Sequence, residues 1–231
     1  MYCTATGMLS MGKEKPESSM QGKMTKKAVI MACPKFITRH LVHGLPEKQS
    51  SAMGKIRYIP YPVVNLIFDK PVFNKGYDTW CPGNRFTDVI VADWVIRNQA
   101  GYQQKHNILS CYTPLHESER HLLLTEDSAR KVAAQVMQDF QKLLPTTNVD
   151  PIEVHIYRRG HPLYMSTPGL YRKAQPEVRK PMGRIFFANT DSEGPVSSTN
   201  EAISAARRAV KEVDVMLGGT TISRAASLVS A

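Results

Sequence analysis

The clearest hydrophobic period in the chain lies between residues 125 and 144. Apolar side chains at 129, 132, 133, 136, 137, 140, 143 and 144 fall on one helical face. Thr125 stands at the N-cap position, Glu126 and Asp127 occupy the first turn, and Pro145 follows the last apolar residue. A second helix is predicted from Ser198. Ser198 with Glu201 three residues on fits a capping box. Ala202, Ile203, Ala206, Ala209, Val210, Val213 and Met216 form its expected buried stripe, and Gly218-Gly219 stop it. Shorter helical stretches are expected over "FITRHLV", closed by Gly44, and after Pro46.

Strands are predicted where β-branched and aromatic residues run between prolines and turn residues. They are the apolar run 28–33, the 56–73 stretch, "TDVIVADWVI", "NILSCYTPL", "IEVHIYRR" and the short run 185–188. "YDTWCPGNRF" reads as a loop, and residues 160–182, rich in proline, as a long ordered loop. The pattern predicts a mixed α/β fold.

Composition narrows the class. The net charge of +10 is uneven: residues 1–60 hold ten Lys/Arg against three Asp/Glu, the remainder twenty against seventeen. An N-terminal excess of this kind is not the clustered footprint of nucleic-acid binding, so nucleic acid is not an expected partner. Cys3, Cys33, Cys81 and Cys111 form no CxxC pair and no zinc spacing, which suits a reducing compartment. Cys33 and Cys111 read as buried small hydrophobes, Trp80 and Trp94 as core or interface residues. Residues 1–24 lack the apolar segment of a signal peptide, and no run approaches a membrane span. A cytoplasmic protein is expected. His116 and His121 with Glu117 and Glu119 lack a closing ligand set, so no metal site is expected. No G-x-S-x-G motif is present.

The candidate chemistry sits at residues 183–213. A strand ends in the polar loop "NTDSEG", and a capped helix follows. A helix N-terminus offers unpaired N–H groups and partial positive charge to an anion or a ring atom that becomes negative. A carboxylate placed like Asp191 suits sugar or ribityl hydroxyls. The same residues also read as a plain turn cap and helix cap.

"GRIFFANTDSEGPVSSTNEAISAARRAVKEV" resembles the C-terminal flavin-contacting segment of the flavin-containing amine oxidase superfamily, which is similar there to carotenoid (phytoene) desaturases and protoporphyrinogen oxidases. "KAVIMACPKFITRHLV" is similar to the strand where that family leaves its FAD domain. "LPEKQSSAMGKIRYIPYPVVNLIFDKPVF" resembles the approach to its substrate domain, and "RGHPLYMSTPG" its pre-terminal loop. The resemblance covers about residues 27–217. It implies FAD as cofactor, with Asp191 near the ribityl–pyrophosphate region, Asn200, Ala202 and Ile203 by the flavin pyrimidine edge, and Ala32 and Pro34 lining the FAD domain. His161 and Tyr164 would approach the substrate.

The domains implied are a lead-in (1–24), a partial Rossmann-like FAD-binding domain (25–44), a substrate-binding domain with a mixed sheet (45–175), the FAD-contacting strand–loop–helix (176–219) and a tail (220–231). The departures are specific. Asn189 stands where the family has glycine, Glu201 stands in the helix opening, Ala206 replaces a later glycine, and no G-x-G-x-x-G occurs. The chain is therefore expected to be the C-terminal half of a flavin oxidoreductase that oxidises a C–N or C–C bond of a small-molecule substrate. A partner chain carrying the glycine motif, or a second copy, would then cover the exposed flank at 28–33 and the last helix. The alternative is a non-catalytic binding module for a partner chain or apolar ligand.

Overall fold

The computed structural model describes residues 27–97, 99–101, 103–144 and 150–219. Fourteen regular elements follow in order: β1 (Val29–Met31), α1 (Lys35–Leu41), α2 (Glu47–Gly54), β2 (Tyr58–Ile59), β3 (Val63–Phe68), β4 (Asp78–Trp80), β5 (Asp88–Val91), β6 (Asn107–Tyr112), α3 (Glu126–Leu143), β7 (Glu153–Tyr157), β8 (Leu163–Tyr164), α4 (Gln175–Val178), β9 (Ile185–Phe187) and α5 (Thr199–Met216). The lead-in 1–24 and the tail 220–231 lie outside the described residues. The chain divides into two compact units. Among the described residues one combines 27–57 with 164–219, and the other is 58–163. The fold is mixed α and β, as the pattern predicts.

The 58–163 unit is a five-stranded antiparallel sheet in the order β4-β5-β6-β3-β7. One face points Val64, Leu66, Phe68, Val89, Val91, Leu109 and Cys111 into a core with α3. Helix α3 follows its sequence period: Ala129, Val132, Ala133, Val136 and Phe140 are buried, and Thr125 caps it by accepting from the Ser128 N–H. Phe140 stacks on Phe68, with ring centroids 5.9 Å apart. Cys111 is wholly buried there, and burial pushes its thiol pKa up strongly.

Three local expectations fail here. "DTW" is an edge strand, because the register Asp78↔Ile90 through Trp80↔Asp88 gives it a partner the sequence does not announce. The strand predicted over 87–96 ends at Val91. Asp93 is buried, accepts hydrogen bonds from Arg97 and Gln104 at 3.0 Å, and turns the chain into a 3-10 turn at Trp94–Ile96. Trp80 is 79% exposed and Trp94 37%, so neither belongs to the core.

The other unit carries the two-stranded parallel sheet β1–β9, in register Val29↔Ile185 to Met31↔Phe187. Phe186 and Phe187 are buried, and Ala188 packs on Ala205 and Ala209 of α5. The expected stripe of α5 holds at Ala209 and is corrected elsewhere: Ala205 is the other buried residue, Ile203, Ala206, Val210 and Met216 are exposed, and Ala202 and Val213 are half-buried. Small residues on the buried line let α5 lie close to β9, which turns the larger apolar side chains outward. Cys33 is half-buried, against expectation, with its thiol 3.2 Å from the Thr38 hydroxyl. Among the described residues no helix is long and apolar enough to cross a membrane.

Candidate functional site

The site grows from the ends of β1 and β9. Parallel strands bring Ala32, just past β1, beside Asn189, just past β9. The Asn189 amide Nδ2 donates to the Ala32 carbonyl at 3.1 Å. Asn189 has φ 90° and ψ 151°, a region that glycine alone enters freely. The chain thus keeps a glycine's conformation at the position where an asparagine stands, and the side chain's hydrogen bond to β1 offsets part of the strain. The same residue opens a one-turn 3-10 helix, Thr190–Ser192.

Beneath this turn lies a buried ion pair. Lys35 Nζ donates to Asp191 Oδ1 at 2.8 Å, and the Lys35 backbone N–H donates to Asp191 Oδ2 at 2.8 Å. Lys35 Nζ also donates to the Ala188 carbonyl. Both side chains are essentially inaccessible. Burial pulls the Lys35 pKa below its ordinary value, and the Asp191 carboxylate opposes that pull. Pro34 stands at the N-cap of α1, so its ring fixes the bend from which Lys35 points inward.

A second cation braces the loop from α5. Arg208 donates to the Phe187 carbonyl at 2.8 Å, to Glu193 and to Glu212. Arg179 donates to the other Glu193 oxygen at 2.9 Å. Tyr164 completes the frame. It is buried, and its hydroxyl lies against the carbonyls of Glu193, Gly194 and Val196. Burial pushes its pKa up to about 12, so it stays a neutral donor. Gln175, also buried, donates to the Gly194 carbonyl at 2.7 Å, and its Oε1 has no hydrogen-bond partner among the described residues.

Helix α5 then begins. Ser198 accepts from the Asn200 N–H at 3.2 Å and donates to the Glu201 carboxylate. Glu201 therefore folds back toward its own cap and packs beneath Gly194. A Cβ at Gly194, where φ is +64°, would collide with the Glu201 side chain. Asn200 and Ile203 are exposed and Ala202 is half-buried, so all three are presented at the helix start. Thr190 Oγ1, 3.4 Å from Ser197 Oγ, links the turn to that start.

The structure thus brings Ala32, Pro34 and Asp191 into one turn cluster, with Asn200, Ala202 and Ile203 on the helix that follows it. His161 falls in the 58–163 unit, where its ring meets Tyr58 edge-on at 6.5 Å; burial and Arg120 lower its pKa. Lys35, Arg208, Glu193 and Gln175 carry no sequence signal for their roles. Lys35 is one cation beside an apolar run, and Arg208–Glu212 reads as an ordinary i,i+4 pair.

The Asp191 carboxylate, expected near ribityl hydroxyls, is buried with both oxygens engaged by Lys35. At the start of α5 the Asn200 N–H is capped by Ser198, and Glu201's charge is turned to the Ser198 hydroxyl.

Comparisons with known proteins give the chain's family and the fold it shares. The profile of the flavin containing amine oxidoreductase family matches residues 17–214. Oxidoreductase PigB of Serratia sp. (strain ATCC 39006) is 25% identical over 211 residues, which is 83% of this chain and 30% of that protein. Among solved structures, one named as a protoporphyrinogen oxidase from Exiguobacterium sp. 255-15 superposes with a TM-score of 0.62 at 16% identity, over 82% of this chain and 41% of that one. A putrescine oxidase variant made for redesign of cofactor binding superposes with a TM-score of 0.61 at 12% identity, over 82% and 43%. The chain therefore spans under half the length of these relatives.

Proposed function

We propose, starting from the fact that the chain belongs to the flavin containing amine oxidoreductase family, that its turn at 189–192 and the start of α5 form the flavin-facing part of an FAD-dependent oxidoreductase. The observation that carries this reading is the glycine-only backbone of Asn189 at the end of β9, tied to Ala32 at the end of β1. When bound, FAD supplies the hydride acceptor for oxidation of a C–N or C–C bond in a small-molecule substrate.

This chain's residues position and tune. Ala32 and Pro34 flank the ring's approach. Asp191 joins the turn through its backbone while its carboxylate holds Lys35. Asn200, Ala202 and Ile203 present the first turn of α5, whose partial positive charge favours negative charge on a pyrimidine edge. The capped Glu201 keeps a like charge from opposing it. Tyr164 acts on this site by fixing the 193–196 loop, and His161 is assigned to the substrate side.

A second reading rests on the exposed apolar residues of the same unit, Ile30, Ile37, Leu41, Ile203 and Val210. Parallel sheets are normally covered on both faces. These residues favour association with further polypeptide that extends the β1–β9 sheet, supplied by a partner chain or a second copy.

The test is anaerobic mixing of the FAD-reconstituted chain with a panel of primary, secondary and polyamines while the visible flavin band is followed. Bleaching by at least one amine is expected. A band that no amine bleaches, in a chain that dithionite reduces, argues against amine oxidation.

A further inference from the structure

We propose that the groove between α2 and the 167–177 segment binds a small phosphate monoester with an apolar body. This site is separate from the flavin-facing turn and does not depend on that assignment. The groove holds about 420 Å³, within the range of small-molecule sites, roughly 300–1,000 Å³. Its floor is apolar: Ala52 and Leu170 are buried there, beside Pro168 and Ala174. Its rim carries three ammonium groups, Lys48, Lys55 and Lys173.

The charge balance of that rim selects the ligand. Glu177 is the one carboxylate lining the groove, and it is already engaged by Lys180 at 2.6 Å and Lys48 at 3.4 Å. Among the described residues neither Lys55 nor Lys173 has an acidic partner within ion-pair distance. Two uncompensated ammoniums match the two negative charges of a phosphate monoester, whereas a carboxylate would leave one unmatched. Lysine serves phosphate as a point charge, and the Ser51 and Thr167 hydroxyls, one from each wall of the groove, add donors.

Two further observations point the same way. The chain turns at Gly169 (φ 87°), where a Cβ would lie 3.7 Å from Lys173 Cδ, so the Lys173 stem lies along the turn. The described residues of this unit hold fourteen Lys/Arg and seven Asp/Glu, a net +7, while those of the 58–163 unit hold eleven of each. Among the described residues the net positive charge lies in the unit that contains the groove.

The test uses the full ¹⁵N-labelled chain titrated with phenyl phosphate and, separately, with phenol, followed by amide shifts. Phenyl phosphate should give saturable shifts at Gly169, Leu170 and Ala174, with or without saturating FAD. Phenol should bind at least about tenfold more weakly. The double variant Lys55→Gln/Lys173→Gln should weaken phenyl phosphate about tenfold or more, since both ammonium contacts to the phosphate are lost. Lys142→Gln, in the other unit, should leave it unchanged. Equal binding of phenol, shifts spread over all surface lysines, loss of the shifts on adding FAD, or an unaffected double variant would each overturn the proposal. Vesicles of phosphatidic acid test the lipid source: capture on them without binding of phenyl phosphate would also overturn it.

Discussion

Lys35 and Asp191, 156 residues apart in sequence, meet as a buried pair 2.8 Å from nitrogen to oxygen. The pair ties the start of α1 to the turn after β9, so it holds the two strand ends of the candidate site together. Removing one partner strands the other charge away from water, which costs about 3–5 kcal/mol. Asp191→Leu and Lys35→Met should each lower stability by that order in urea unfolding. The double variant Lys35→Met/Asp191→Leu should cost less than either single change. Additive losses would show that the pair is not coupled.

Asn189 and glycine should compete closely at the end of β9. Asn189→Gly relieves backbone strain of order 1–3 kcal/mol but gives up the bond to Ala32 and adds chain entropy on unfolding. Asn189→Ala gives up the bond and keeps the strain. Thermal or urea unfolding should therefore rank Gly above Ala by about 1 kcal/mol or more. An alanine variant as stable as the glycine variant would contradict the strained backbone.

Gly194 sits under the folded-back Glu201. Gly194→Ala should destabilise by more than the ~1–3 kcal/mol of its left-handed conformation alone, because the new methyl meets the Glu201 stem. Adding Glu201→Ala should recover only the steric part. Urea midpoints of the two variants check this, and full recovery would mean that the backbone conformation is not restrictive.

In the other unit, Glu119 accepts from Arg85 at 2.8 Å, and that hydrogen bond holds its pKa below the ordinary carboxylate value. A depressed acid contributes stability that is present above its unfolded pKa and lost as pH falls through the folded one. Glu119→Gln should therefore be less stable than the native chain near neutral pH. The difference should shrink toward zero below the folded pKa. A difference that is constant from neutral to strongly acid pH would show that the ion pair does not contribute.

Periodicity made α3 and most strands legible because one face of each is buried against a single core. Val64, Leu66 and Phe68 alternate for that reason. Edge strand β4 was hidden because its pattern is set by its neighbour's register. In the stripe of α5 only Ala209 was legible: Ala205, which also faces β9, looks no different in sequence from the alanines of the exposed face, and the larger Ile203 and Val210 drew the stripe to their side. At the site, the turn and the cap at Ser198 were readable from local chemistry. The inward direction of Lys35, and the bracing by Arg208 and Tyr164, depend on contacts far apart in the chain that no spacing records.

The most direct measurement is a titration of the purified full chain with FAD, following quenching of flavin fluorescence, in parallel with Asp191→Ala. The account predicts saturable binding that weakens about tenfold or more when the turn loses its anchor to Lys35. Absence of saturable binding, or equal binding by the folded Asp191→Ala chain, would contradict the assignment of the 189–203 segment to the flavin.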